Sequence, residues 1–231
     1  MHRFAEVFAD HAILKGGMAM RLFDSPRSTT DIDYVFVPYA SKTDVRAQIE
    51  SVLREIDDAE VKVALHSKML RAELRVDGAS IQVEVNVAMN CNGIAMSTAG
   101  FARQLGQPPR VVRIMSPDWA LAHKLAAWNE RRLVRDLYDC YFFAARLQQE
   151  PAGEVLDDRL AHVESRIPTQ SRRKTMTRAE LAGELREVAS SLSQERVAAE
   201  LGGVLPAEEL AGLALRIRAA VVKIAEWLEE P

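Results

Sequence analysis

Asp31 and Asp33 stand two residues apart in the run Asp31-Ile32-Asp33. On a strand this spacing turns both carboxylates to the same face. Two carboxylates side by side repel each other unless a cation sits between them. For an all-oxygen site serving phosphate chemistry the fitting cation is Mg²⁺. Glu84 is a third candidate ligand, on the polar face of a different predicted strand, with Val83 and Val85 pointing away. Three such carboxylates would hold two Mg²⁺ ions for an in-line displacement at phosphorus. Gly16-Gly17 precedes them in the chain. A glycine pair between a strand and a helix lets the backbone approach a ligand, and the free N–H groups and positive dipole end of the helix favour a phosphate. Taken singly, each feature has an ordinary explanation: a turn for the glycines, solvated acids for the others. Their order and their predicted elements single them out together.

Those elements can be read from the residue pattern. An apolar run at 12–14 leads into Lys15-Gly16-Gly17, and 18–23 reads as a short helix. Residues 24–30 are polar and contain Pro26, a loop. Residues 32–37 are β-branched and aromatic, a strand ended by Pro38. Val45, Ile49, Val52, Leu53 and Ile56 recur at helical spacing through 41–56. Next comes a hairpin: 69–76 and 81–87 both alternate apolar and polar residues around Asp77-Gly78, the pair that suits a type I′ turn. With Asp77-Gly78 as the whole loop, Val76 faces Ala79 and Arg71 faces Glu84, so the polar faces of the two strands coincide. Residues 61–65 would add a further strand.

The sequence changes character near residue 115. Ser116-Pro117-Asp118 is a helix start, with Ser as N-cap, Pro at the first helical position and an acid in the first turn. A helix should run to about residue 129 and a second across 134–147. Thr177 and Glu180 form a capping box for a helix to about residue 190. Gly202-Gly203 and Pro206 interrupt the chain before a last amphipathic helix ending near residue 228. The expected layout is an α/β N-terminal half over 1–115 and an all-helical C-terminal domain over 116–231.

Composition narrows the class. The 231 residues are 48% hydrophobic, too apolar for a disordered chain, and carry 30 basic against 33 acidic side chains. A net charge of -3 argues against coating nucleic acid by bulk electrostatics but not against a local basic patch. No apolar run approaches the roughly 18 residues of a membrane span, and residues 1–10 lack the apolar stretch of a signal peptide. Only Cys91 and Cys140 occur, far apart, which leaves no disulfide framework or Cys-rich zinc site and makes the cytoplasm the expected location.

Two blocks of residues carry a family resemblance. The first is Ile13-Leu14-Lys15-Gly16-Gly17-Met18-Ala19-Met20-Arg21-Leu22 with Arg27-Ser28-Thr29-Thr30-Asp31-Ile32-Asp33-Tyr34. The second runs from Asp118-Trp119-Ala120-Leu121-Ala122-His123-Lys124-Leu125-Ala126-Ala127 through Arg131 to Arg135-Asp136-Leu137-Tyr138-Asp139. Together they resemble the DNA polymerase β-like nucleotidyltransferase superfamily, and within it the AbiEii/AbiGii-type toxin family. The resemblance covers 13–34 and 118–143 tightly and the Glu84 strand loosely. It implies an α+β fold: a polymerase-β-like core with a mixed sheet flanked by helices, then an all-helical C-terminal domain. It also implies an enzyme that transfers a nucleoside monophosphate from an NTP to an acceptor with Mg²⁺. Asp31 and Asp33 correspond to its metal ligands, with Glu84 the candidate third carboxylate, Gly16-Gly17 to its phosphate loop, and Lys124, Arg135 and Asp136 to its helical motifs. Several such relatives are toxins that add nucleotides to tRNA acceptor ends beside a cognate antitoxin. Met18 stands where many relatives have Thr or Ser, and Thr30 where an acid is common.

The second block also makes physical sense residue by residue. Leu121, Leu125 and Trp128 define a buried stripe, and Lys124 at its edge can carry its ammonium to a cleft and meet triphosphate as a point charge. Arg131 and Arg135, one turn apart, would share a face. Asp136 and Asp139 can orient Lys124 or an arginine, act as general base toward an acceptor hydroxyl, or brace two helices in an Arg/Asp network. Tyr138, Tyr141, Phe142 and Phe143 read as packing, and His11, His66, His123 and His162 have no zinc spacing. Two other functions fit the same residues: transfer to a small molecule or protein side chain, and a catalytically silent nucleotide-binding regulator.

Arg166, Arg172, Arg173, Lys174 and Arg178 fall in an acid-free stretch from Ser165 to Ala179. It is either a solvated loop or a grip on RNA phosphates. If it grips RNA, changing Arg172, Arg173 and Lys174 together to Ala weakens RNA binding and flattens its salt dependence, as read by titrations at several salt concentrations. An unchanged affinity excludes the grip.

Overall fold

A computed structural model describes residues 1–164 and 175–230. The chain forms two compact units, Met1–Ser116 and a second from Pro117 onward. The first contains helix α1 (His2–Phe8), strand β1 (Ala12–Lys15), helix α2 (Gly16–Leu22), strand β2 (Asp31–Phe36) and helix α3 (Lys42–Arg54). Strands β3 (Glu60–Leu65), β4 (Leu70–Val76), β5 (Ala79–Val87) and β6 (Gly93–Ser97), helix α4 (Ala99–Gln104) and strand β7 (Val111–Met115) complete it. The strands form one mixed sheet of seven, in the order β3-β4-β5-β2-β1-β7-β6. β2 lies antiparallel to β1 and parallel to β5.

Register follows from burial. Leu14, Tyr34, Phe36, Leu70, Ala72, Val83 and Val85 are buried in one core cluster with Phe4 and Phe8 of α1 and Val45, Ile49, Val52 and Leu53 of α3. A slip of one residue on any central strand would turn these side chains to the opposite face. The hairpin pairs Val76 with Ala79 and Arg71 with Glu84, and Asp77 and Gly78 both take the positive φ that a type I′ turn needs (49° and 78°). Helix α3 starts with a capping box in which Ser41 and Asp44 exchange bonds with each other's backbone. Helices α1 and α4 and strands β6 and β7 add to the elements read from the sequence. The run Val111-Val112-Arg113-Ile114-Met115 carries a strand signal. Gly93–Ser97 carries almost none, and pairing with β7 makes it a strand.

The second unit is built from helices α5 (Pro117–Arg131), α6 (Val134–Tyr141), α7 (Gly153–Ala161), α8 (Arg178–Ser191), α9 (Gln194–Leu201), α10 (Ala207–Leu210) and α11 (Leu213–Glu229). The expected N-cap at Ser116 is not made by its side chain: among the described residues its buried Oγ has no hydrogen-bond partner. Its N–H instead donates to Asn92 O (2.9 Å), extending the β6–β7 ladder, so Ser116 ends a strand as well as preceding a helix. The predicted helix over 134–147 holds to Tyr141 and then widens into a π-turn, Phe142–Arg146, that buries Phe142 and Phe143. The capping box of α8 is formed, with Thr177 Oγ1 accepting from Glu180 N and Thr177 N donating to Glu180. Among the described residues no helix is long and apolar enough to cross a membrane, and both cysteines are free thiols.

Leu14 is fully buried on β1, between Tyr34 of β2 and Ile114 of β7. Leu14→Ala is expected to lower unfolding free energy by about 2–5 kcal/mol in urea denaturation. A loss below about 1 kcal/mol would show that this position is not packed as described.

Candidate active site

A row of four charged residues crosses the first unit's sheet. Lys15 on β1 is in register with Asp33 on β2, Asp33 with Glu84 on β5, and Glu84 with Arg71 on β4. In-register residues of adjacent strands share a face, with strands about 4.8 Å apart. The order of charge is therefore plus, minus, minus, plus. Two carboxylates about 5 Å apart repel by ~3 kcal/mol at an effective dielectric of about 20. The flanking cations offset this repulsion. Lys15 Nζ lies 3.8 Å from Asp33 Oδ1, and Arg71 Nη2 donates to Glu84 Oε1 at 2.8 Å. Gln82, in register with Asp31, donates its Nε2–H to the same Glu84 Oε1 at 2.6 Å. Asp31 lies two residues before Asp33 on the same face, and Thr30 Oγ1 donates to its Oδ1 at 3.5 Å.

The glycine pair is shaped by this row. Gly16 has φ +68°, and a Cβ built on it would lie 2.2 Å from Asp33 Oδ2. Any side chain there would be strained and would displace the carboxylate. A Cβ on Gly17 would meet Thr29 Oγ1 at 2.7 Å and Arg27 Nη2 at 2.8 Å. The two glycines thus let an acid approach from one side and a buried arginine with a hydroxyl from the other. A cavity of about 340 Å³ at the far end of α2, lined by Arg21, Ser25, Phe101 and neighbours, includes neither the glycines nor the carboxylates.

Asp31, Asp33 and Glu84 offer the hard oxygen donors that Mg²⁺ takes. Among the described residues, however, no group of three or more His, Cys, Asp or Glu side chains is gathered as a metal-holding set. The strands place the three acids on one face, while Lys15 engages Asp33 and Arg71 and Gln82 engage Glu84.

In the second unit, Lys124 on α5 and Asp136 and Asp139 on α6 form a compact charge cluster. Both aspartates are fully buried, and the lysine is 19% exposed. Lys124 Nζ lies 2.6 Å from Asp139 Oδ2 and 3.9 Å from Asp136 Oδ1. Arg131 grips Asp136 with two bonds, Nη2 to Oδ1 at 2.6 Å and Nε to Oδ2 at 3.1 Å. Two cations meet two anions, so the buried cluster is balanced. Burial pushes the Asp136 carboxyl above the usual carboxylate range, against the opposing pull of Lys124 and Arg131. Full enclosure, with both acids nearby, pushes the Cys140 thiol well above its ordinary value.

The α5–α6 junction sets this geometry and corrects one expectation. Arg131 and Arg135 do not share a helical face, because the helix breaks between them: Arg132 takes a positive φ of 58° and α6 begins at Val134. Arg131 turns inward to Asp136, and Arg135 is exposed. The break is held by Arg132, whose guanidinium sits 4.3 Å from the Trp128 ring and donates to Glu184 of α8, and by Glu200 of α9, which accepts from Val134 N. Leu121, Leu125 and Trp128 are buried as their spacing predicts, and so are Tyr138, Tyr141, Phe142 and Phe143. His123 is tied to Arg159, which also bonds Glu130. Of the basic stretch, Arg178 pairs with Asp157 by two bonds of 2.7 Å, while Arg166, Arg172, Arg173 and Lys174 lie outside the described residues.

The residues that sequence reasoning passed over are Lys15, Arg71 and Gln82. Arg71 was within reach, since the hairpin register already sets it opposite Glu84. Removing one member of the second cluster should be costly. Asp136→Ala leaves Arg131 without its partner, and a loss of about 3 kcal/mol is expected in chemical denaturation. Adding Arg131→Met should recover part of it. Strictly additive losses would show that the pair is not coupled.

Comparison with known proteins now bears on these residues. The family described as "Nucleotidyl transferase AbiEii toxin, Type IV TA system" matches residues 2–221. No curated protein matches the chain. Among solved structures, the chain is similar to JHP933 from Helicobacter pylori, with 14% identity, a TM-score of 0.53, and 99% of this chain and 90% of that chain covered. It is also similar to MenT4, a nucleotidyltransferase toxin from Mycobacterium tuberculosis H37Rv, with 16% identity, a TM-score of 0.57, and 96% and 79% coverage. At these identities the structural likeness speaks for the fold. The family match over nearly the whole length speaks for more: the chain belongs to the AbiEii family of nucleotidyl transferase toxins and is a nucleotidyltransferase.

Proposed function

We propose that this enzyme transfers a nucleoside monophosphate from an NTP to the acceptor end of tRNA, with Mg²⁺, as the cytoplasmic toxin of a toxin–antitoxin pair: a tRNA hydroxyl attacks the α-phosphorus and pyrophosphate leaves. The observation that carries this reading is the shared face of Asp31, Asp33 and Glu84 beside the Gly16-Gly17 turn. Asp31, Asp33 and Glu84 would hold the metal, which when bound supplies Lewis-acid polarisation of phosphate oxygens. The chain's own residues do the rest. Gly16 and Gly17 let Asp33 on one side and Arg27 with Thr29 on the other close against the turn, and this turn is assigned to the nucleotide phosphates. Lys124 offsets triphosphate charge, and its ammonium is held by Asp139 and, more distantly, by Asp136. Asp136, fully buried and gripped by Arg131, acts through Lys124 as a positioning residue. Exposed Arg135 is assigned to the NTP as a phosphate contact. Such preorganised charge is the main contribution a protein makes to phosphoryl-type transfer. The toxin family implies a cognate antitoxin as partner.

The test is incubation of the folded protein with labelled NTPs, Mg²⁺ and total tRNA. Label should enter tRNA. Chelation of the metal should abolish it, and Asp31→Ala with Asp33→Ala should lower it at least ~1,000-fold. Label in a small molecule or a protein instead would replace the tRNA acceptor with that class. No label in any acceptor would overturn the reading.

A further inference from the structure

Asp31, Asp33 and Glu84 lie on one face of adjacent strands, yet among the described residues no set of three His, Cys, Asp or Glu side chains is gathered. The register explains it. Asp33 and Glu84 are the inner members of the row, and each is engaged by the outer cation on its own side, Lys15 at 3.8 Å and Arg71 at 2.8 Å. We propose that Lys15 and Arg71 are resident counter-cations. They occupy Asp33 and Glu84 while no divalent cation is bound, they compete with that cation for the carboxylates, and once displaced they turn to phosphate oxygens of the incoming nucleotide. This rests on the assignment of Asp31, Asp33 and Glu84 as metal ligands.

Three features support the exchange. First, the cations sit on the longer, more flexible stems. The Arg71 side chain is 43% exposed against 18% for Glu84, while Lys15 and Asp33 are alike at 24% and 23% and differ in the lysine's flexible four-carbon stem. Each can swing outward without disturbing the buried face of the sheet. Second, the carboxylates stay aimed when the cations leave. Gln82 still donates to Glu84 Oε1, and Asp33 remains packed into the space that Gly16 leaves by lacking a Cβ. Third, the alternative charge balance is unfavourable. Without the outer cations the metal-free enzyme would hold two adjacent carboxylates uncompensated on paired strands. Ammonium and guanidinium groups are also the natural partners of phosphate oxygens, so the same two side chains can serve the empty and the loaded site.

The experiment measures Mn²⁺ binding to the full chain by electron paramagnetic resonance and calorimetry, without nucleotide. The proteins compared are the wild type, Lys15→Met, Arg71→Met, and Arg75→Met as a control on the same strand, where Arg75 pairs with Glu73 instead. Removing a competing cation should tighten Mn²⁺ binding roughly five- to tenfold in Lys15→Met and in Arg71→Met, and leave Arg75→Met unchanged. With Mn²⁺ saturating, the same two variants should bind a non-hydrolysable NTP analogue several-fold more weakly. Arg71→Lys should restore part of both effects. Circular dichroism melts establish that each variant is folded, and Lys15→Gln and Arg71→Gln serve where a methionine variant is not. Unchanged or weaker Mn²⁺ affinity in both variants overturns the counter-cation role while leaving the ligand assignment standing. Wild-type binding that is absent, or that survives Asp31→Asn with Asp33→Asn, overturns the ligand assignment and the proposal with it.

Discussion

Like charges brought together on paired strands dominate the first unit. Asp33 and Glu84 are neighbours because β2 lies beside β5, and that adjacency is set by the apolar side of the same strands. Tyr34, Phe36, Val83 and Val85 are buried against α1 and α3, and their alternation leaves the acids no choice of face. Hydrophobic burial holds the carboxylates together, and electrostatics must then be satisfied where they stand. Lys15 and Arg71 on the next strands outward, with Gln82 beside Glu84, satisfy it. The glycine turn follows from the same constraint, because Asp33 projects into the volume a side chain at Gly16 would fill.

The second unit meets a similar problem with helices. Two aspartates one turn apart on α6 are fully buried, which is tolerable only with cations to match. Lys124 and Arg131 come from α5, and they reach α6 because the chain reverses sharply at Arg132. That reversal is itself pinned by Trp128, Glu184 and Glu200, so helices far along the chain fix the orientation of the charged cluster. Rigid support of this kind holds the Lys124 ammonium and the Arg131 guanidinium in place against the two aspartates.

The fold is shared at 14% and 16% identity over most of JHP933 and MenT4. Core positions accept many apolar side chains of suitable volume, so a fold can be kept while most of its sequence changes. The family match, spanning residues 2–221, draws on both units.

Much was legible before the fold was known. Alternation in 69–76 and 81–87 with Asp77-Gly78 between them determined the hairpin and its register down to the Arg71–Glu84 pair. The capping box at Thr177, the helical spacing through 41–56, the buried stripe through Leu121, Leu125 and Trp128, and the common face of Asp31 and Asp33 are equally local, since they depend on short sequence spacings. What is non-local was decided by the tertiary structure. That β1 and β5 flank β2, and so put Lys15 and Glu84 on either side of Asp33, depends on which strands find each other across dozens of residues. That Arg131 turns inward while Arg135 faces solvent depends on a chain reversal stabilised by α8 and α9. Residue types and their periods specified which chemistry was possible. Packing of distant segments decided which charges meet, because Coulombic partners are chosen by distance in space and not by spacing along the chain.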